Sequence, residues 1–170
     1  MGFTPVKTGT NPVKFTVGQL RETIGLSEET FRHWKRVLSP FAGRAGRARS
    51  FSVGDLLAAA IFQHLTDRCG VRVGHLALVA PKVFELCNST PWTALDGKLL
   101  IIDFNSGECL IARDLSRATG AGALMVCFLG PTIGRLRDTL LKDQTPAAQT
   151  HLRFPVVEVA NEQRAARRAK

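Results

Sequence analysis

The chain has 170 residues, 45% hydrophobic and 22% charged, a balance typical of a soluble globular protein. No apolar run reaches membrane-spanning length, which excludes an integral membrane helix. The net charge of +9 is uneven: residues 1–50 carry nine Lys/Arg against three acids, residues 51–150 carry nine of each, and residues 151–170 carry five against two. A polyanionic partner would therefore meet the N-terminal segment and the tail.

The four cysteines, Cys69, Cys87, Cys109 and Cys127, are widely spaced. They form no CxxC pair and have no histidine at ligand spacing, so we expect no metal site and no cofactor. No apolar segment follows the N-terminus, so no secretory leader is expected. Reduced thiols and a cytoplasmic, nucleoid-associated location in a bacterium, phage or mobile element are the expectation.

The first elements are a short arm and a capped helix. Residues 1–13 have no periodic pattern and are interpreted as a flexible arm. Thr16 followed by Gln19 is a capping box, and apolar residues then recur at helical spacing. Gly25 ends this helix.

A second helix is predicted over residues 28–38, with Ser27 as its cap. One face is apolar and carries Phe31, Trp34 and Leu38, whereas another face is cationic and carries Arg32, Lys35 and Arg36. A core role for Trp34 is favoured over base stacking because Trp34 shares the apolar stripe. His33 lies between the faces, and the pattern leaves open whether it contacts phosphate or the edge of the core.

A polar, glycine-rich loop follows the second helix. Residues 42–50 contain Arg44, Arg47 and Arg49 among glycines and alanines. This composition is too polar for a helix and favours a short two-strand wing with an arginine-bearing tip.

Two further helices are predicted after this loop. Ser52 caps the third helix, with Asp55 three residues later, and the apolar period continues as far as His64, which is interpreted as a core histidine. A fourth helix begins near Val73, and Pro81 is expected to break or restart it.

After residue 91 the sequence pattern favours β-strands. Residues 98–104 and 108–112 flank an Asn/Gly turn and predict a hairpin, and residues 123–129 predict a buried strand. Gly130-Pro131 is expected to end this strand, and a short helix is predicted over residues 132–141. Residues 151–159 are read as a further strand.

These patterns predict an α+β fold in which a mostly helical N-terminal part precedes a β-rich α+β module. The expected organisation is a flexible arm (1–13), a DNA-binding domain (14–90), a module for self-association or for an effector or partner (91–160), and a basic tail (161–170). The boundary is drawn near residues 88–91.

Several elements of the N-terminal part resemble one family. The residues in question are Phe15 to Leu20, Ile24-Gly25-Leu26-Ser27, Thr30 to Trp34, and Arg49-Ser50-Phe51-Ser52 with Asp55-Leu56. In order and spacing they resemble the winged helix-turn-helix of MerR-type transcriptional regulators over residues 15–80. Phe51 stands where that family usually has a tyrosine.

The resemblance implies that the second helix enters a major groove and that the wing lies on the flanking backbone. Arginine and lysine side chains supply the base and phosphate contacts that such binding needs, and a helix N-terminus adds backbone N–H groups. The DNA-binding residues expected on these grounds are Thr16, Val17, Ser27, Thr30, Arg32, His33, Lys35, Arg36, Arg44, Arg47 and Arg49.

The function expected from the sequence is a sequence-specific regulator of transcription that binds double-stranded DNA as a homodimer or higher homo-oligomer. RNA polymerase or another regulator is a further partner to consider. Two alternatives stay open: an excisionase-like or architectural recombination factor, and a protein–protein adaptor. No motif of a hydrolase, phosphate-binding loop or metalloenzyme is present in the sequence, so no enzymatic activity is expected.

Overall fold

The computed structural model describes residues 13–42, 44, 50–118 and 122–142. The predicted α+β class is confirmed by helices that accompany two small antiparallel sheets. In chain order the elements are β1 (Lys14–Phe15), α1 (Val17–Ile24), α2 (Glu28–Val37), β2 (Phe51–Ser52), α3 (Val53–Asp67), α4 (Val73–Ser89), α5 (Trp92–Leu95), β3 (Leu99–Asp103), β4 (Cys109–Ala112), β5 (Leu124–Phe128) and α6 (Leu129–Lys142).

The first two helices form as their capping residues predict. Thr16 and Gln19 make both hydrogen bonds of the capping box at α1, and Ser27 accepts the backbone N–H of Thr30 at α2. Gly25 closes α1 with a left-handed φ of 71°, a conformation that costs glycine little. A three-residue turn therefore connects α1 to α2.

The predicted two-strand wing over residues 42–50 lies mostly outside the described residues, and only its borders can be described. Residues Ser39–Phe41 form a 3₁₀ turn, and β2 pairs with β1, placing Phe15 opposite Phe51. Pro40 favours such a turn because its φ is fixed and it has no N–H to donate to a strand. Residues 43 and 45–49 lie outside the described part of the chain, so the tip predicted for the wing stays a prediction.

The hairpin predicted after residue 91 is confirmed. Strand β3 lies between β4 and β5 and is antiparallel to both. The strand predicted over residues 123–129 is present as β5, but it lies at the sheet edge and is only partly buried, with Phe128 69% exposed. The strand predicted over 151–159 and the basic tail over 161–170 lie outside the described residues.

One proline, Pro81, was expected to break or restart a helix, and this expectation is wrong. Helix α4 continues through Pro81, whose ring is exposed while Ala80 and Val83 on either side are buried in one core. Packing on both sides can hold the helix across a missing hydrogen bond. Helix α6 begins at Leu129, so Pro131 falls in its first turn, where a backbone N–H has no intrahelical acceptor anyway.

One hydrophobic core contains side chains from both parts of the chain. Helix α3 lies at its centre and packs against α1, α4 and α6. The cluster extends from Phe15 through Leu100 and Ile102 of the three-stranded sheet to Leu136 of α6. His64, expected in this core, is exposed instead. Burial therefore continues across residues 88–91, where the composition changes.

Candidate nucleic-acid interface

Helix α2 separates an apolar face from a cationic one. Phe31 is 4% exposed and Trp34 is fully buried, with its ring centroid 5.7 Å from that of Phe41. The core role predicted for Trp34 is confirmed. Arg32 and Arg36 are exposed on the other face, together with His33 and the half-buried Lys35. The helix can therefore present these cations to a ligand without disturbing the core.

The start of α2 is held by its own side chains. Ser27 accepts the N–H of Thr30 at 3.1 Å, and their two hydroxyls lie 2.8 Å apart. Glu28 and Glu29 occupy the first turn, where carboxylates interact favourably with the helix dipole. Ser27 and Thr30, both expected to contact DNA, thus also have a local structural role.

The start of α1 faces the same region. The backbone N–H of Gln19 donates to Thr16 Oγ1 at 3.2 Å, and Gln19 Oε1 accepts the N–H of Thr16 at 3.0 Å. Val17 and Gly18 follow the cap, and the N–H groups of a first helical turn have no acceptor within the helix. These groups can donate to an anion.

A groove of about 200 Å³ joins these elements. Four of the residues predicted from the sequence line it, namely Val17, Arg32, Lys35 and Arg44. Three further residues were not predicted, namely Arg21, Glu28 and Phe31. The fold thus brings the start of α1, one face of α2 and the segment after α2 to a single concave surface, which we call the basic groove.

Ion pairs in the basic groove involve its one carboxylate. Glu28 lies 2.5 Å from the guanidinium of Arg32 and 3.7 Å from that of Arg21. The side chains of Arg32 and Glu28 are 74% and 57% exposed, and exposed pairs of this kind contribute about 0–1 kcal/mol. Arg32 can therefore exchange this partner for another anion at little cost.

Arg44 has a different environment. Its guanidinium lies 2.5 Å from Asp55 Oδ2 and 5.4 Å from the centre of the Phe51 ring. Asp55 is only 3% exposed, and its carboxylate also accepts the N–H of Ser52 at 3.0 Å and the amide of Asn88 at 2.8 Å. We call Arg44, Ser52, Asp55 and Asn88 the Asp55 cluster. The charge of Arg44 is thus compensated inside the protein.

Phe51 belongs to the same region and is fully buried. Its ring centroid lies 6.3 Å from that of Phe31 and 5.9 Å from that of Phe41. A tyrosine hydroxyl at this position would enter an apolar cluster. Phe51 is therefore a core residue of this fold.

Two of the predicted DNA-binding residues lie outside the described part of the chain. Arg47 and Arg49 are not among the described residues, so their place relative to the basic groove stays a prediction. Of the residues that sequence reasoning missed, Glu28 had a usable signal, since Glu28 and Arg32 have the i, i+4 spacing that favours a helical ion pair. No local spacing rule predicts the pair between Arg44 and Asp55, because these residues are 11 positions apart in the sequence.

The remaining polar chemistry is sparse. Within the described ranges, no three His, Cys, Asp or Glu side chains come together as a metal site. All four cysteines are free. Burial is the main factor that raises the pKa of the Cys87 thiol to about 12 and those of Cys109 and Cys127 to about 11. Protonated thiols are poor nucleophiles, so these three have the chemistry of core residues.

Comparisons with known proteins provide no assignment. No protein-family model, no curated protein and no solved structure matches this chain. Among the helices in the described residues, none is long and apolar enough to cross a membrane.

Proposed function

We propose that this chain is a sequence-specific regulator of transcription that binds double-stranded DNA through α2. The basic groove carries this proposal, because it gathers residues of α1, α2 and the following segment that the sequence pattern had separately nominated. The sequence pattern of residues 15–80 resembles that of MerR-type regulators, and the proposed binding mode follows theirs.

In this mode, the exposed face of α2 lies in the major groove. Arg32 and Arg36 have the planar forks that bind guanine edges or phosphates in pairs of hydrogen bonds, and Lys35 adds a point charge. His33, on the same helix, is within reach of the flanking backbone. Ser27 and Thr30 at the start of α2 supply hydroxyl donors for phosphates.

The neighbouring elements would bind the DNA backbone. Thr16 and Val17 begin a helix whose first N–H groups suit a phosphate oxygen. Arg44, in the segment 42–50 proposed as the wing, is anchored by Asp55. Arg47 and Arg49 of the same segment would contact phosphates beside the site that α2 reads.

A homodimer is part of the proposal. One module of this size buries little DNA surface, and repeated half-sites are the usual way to reach specificity. The second half of the chain, from residue 91, is the part proposed to support self-association or to bind a partner such as RNA polymerase or another regulator.

The test begins by selecting preferred duplexes from a random pool with the full-length protein. Anisotropy titrations on the selected and on a scrambled duplex, at several salt concentrations, then measure affinity and specificity. We expect Arg32→Ala to cost about 1–3 kcal/mol of discrimination between the duplexes. Arg47→Ala is expected to weaken both complexes alike and to reduce the salt slope by about 1.

Arg137→Ala is the matched control, because Arg137 is an exposed arginine on α6 that does not line the basic groove. It should leave both affinities nearly unchanged. Absence of salt-dependent duplex binding by the intact protein would reject the proposal, and capture of an acidic protein in its place would favour the adaptor. Strong bending with cooperative coverage of direct repeats would replace the regulator by an architectural factor.

A further inference from the structure

A second polar cavity lies at one end of the three-stranded sheet, with a volume of about 350 Å³. The antiparallel register pairs Leu99 with Ala112, so Lys98 before β3 comes opposite Arg113 after β4. The chain then turns through Leu115–Arg117, a 3₁₀ helix, which brings Arg117 to the same cavity. Three cationic side chains thus converge although they are distant in the sequence.

The cavity carries an excess of positive charge. Its one acid, Asp114, accepts hydrogen bonds from the backbone N–H and the hydroxyl of Ser116, so its Oδ1 atom is already engaged in the turn. Lys98, Arg113 and Arg117 form no ion pair and no side-chain hydrogen bond with any other described residue. The lining therefore has a net charge near +2.

This charge stands out from its surroundings. Residues 51–150 as a whole have equal numbers of acidic and basic side chains. Elsewhere in this part of the chain, Lys82 lies 3.5 Å from Glu85, which compensates its charge locally. The three cations outnumber the one carboxylate of the lining, Asp114, which interacts electrostatically with Arg117, and this excess of positive charge raises the local concentration of anions.

We propose that this cavity binds the phosphate group of a small phosphomonoester. Such a group carries about −1.5 to −2 charges at neutral pH, which matches the lining, whereas one carboxylate would leave a cation uncompensated. Arg113 and Arg117 can bind phosphate oxygens in pairs of hydrogen bonds, and Lys98 adds a third charge. Ile111 and Ala112 offer an apolar wall to the organic part of the ligand.

The site is separate from the basic groove, since the two cavities share no lining residue. Its volume falls within the range of about 300–1,000 Å³ common for small-molecule sites. The proposal therefore does not depend on DNA binding, and its test contains no DNA.

The experiment titrates the full-length protein with glycerol phosphate and measures binding by isothermal titration calorimetry. Glycerol, acetate and sulfate at matched ionic strength are the comparison ligands. We expect saturable binding of glycerol phosphate, no binding of glycerol and much weaker binding of acetate. Sulfate, which has a similar charge and oxygen geometry, should bind comparably but without the pH dependence of the phosphate ligand. Binding should weaken between pH 7.5 and pH 5, since the second phosphate proton binds with a pKa near 6 and reduces the ligand charge.

Arg113→Gln and Arg117→Gln should each lower the affinity about tenfold, as expected for loss of a hydrogen bond to a charged group. Arg135→Gln, an exposed arginine on α6, is the matched control and should leave the affinity unchanged. Circular dichroism checks that the variants fold, and Lys98→Gln provides a third variant at the site. Equal binding of acetate, or equal losses in the control, would overturn the proposal.

Discussion

Arg32 and Arg44 line the same basic groove but differ in what holds them. Arg32 is 74% exposed and bonds to an exposed carboxylate one helical turn away. Arg44 is 35% exposed and bonds to Asp55, whose carboxylate is buried and also held by Ser52 and Asn88. The partner of Arg32 is thus an exposed carboxylate, whereas the partner of Arg44 is a buried one.

The difference shows how burial of the partner decides the role of a cation. An exposed ion pair exchanges readily with water and salt, so Arg32 is available to a ligand. A buried carboxylate that loses its cation is left with an uncompensated charge, so we expect Arg44 to stabilise the folded chain. The contrast between Arg32 and Arg44 should appear in the stability of variants of the folded chain.

The largest effect is expected for Asp55→Ala. This change removes the carboxylate that binds Arg44 and accepts hydrogen bonds from Ser52 and Asn88, and it breaks the cap of α3. We expect a loss of about 2–4 kcal/mol in the free energy of unfolding, measured by urea titration.

Asp67→Ala on the same helix is the control, because Asp67 is exposed at the end of α3. Its effect should stay within about 0.5 kcal/mol. Similar losses for the two variants would show that burial of Asp55 contributes nothing particular.

A smaller effect is expected for Gly54→Ala in the same region. A Cβ atom at Gly54 would lie 2.6 Å from the carbonyl oxygen of Cys87 and 2.8 Å from the Cα of Asn88. Since both are backbone atoms, the ends of α3 and α4 would have to separate, and overpacking of this kind costs about 1–3 kcal/mol.

Gly74→Ala is the matched control, because nothing lies within 4 Å of a Cβ there. An alanine in that helix should be neutral or stabilise the protein by up to about 1 kcal/mol. A loss of stability in both variants would indicate a cause other than the close contact of α3 with α4.

The smallest effect on stability is expected for Arg32→Ala. The lost pair with Glu28 is exposed, so the free energy of unfolding should change by less than about 0.5 kcal/mol. Thermal or urea unfolding of this variant, beside the DNA titrations, checks the contrast directly. A destabilised Arg32→Ala would mean that its DNA phenotype reports folding and not recognition.

Local signals in the sequence predicted much of the fold. The caps at Thr16, Ser27 and Ser52 and the stripe containing Trp34 act within a few residues, so each could be read directly. The hairpin turn before Glu108 is likewise local. These elements form where the sequence placed them because near neighbours determine them.

The failures come from contacts between distant residues. Helix α4 passes Pro81 because residues on both sides enter one core, which no local rule reports. His64 continues the apolar period of α3 but is exposed, although Leu65 beside it is buried, so it lies at the edge of the buried face of α3. Within the candidate site, Asp55 lies beside Arg44 only after β2 and α3 have packed.

The shared core has a consequence for how this chain can be handled. Because buried side chains from Phe15 to Leu136 form one cluster, a fragment ending near residue 90 would expose the surfaces of α1 and α3 that pack on α6. Such a fragment would be prone to aggregate, so a failure of the fragment to bind DNA would not report on recognition. Fragments and fusion proteins should therefore keep residues 14–142 together.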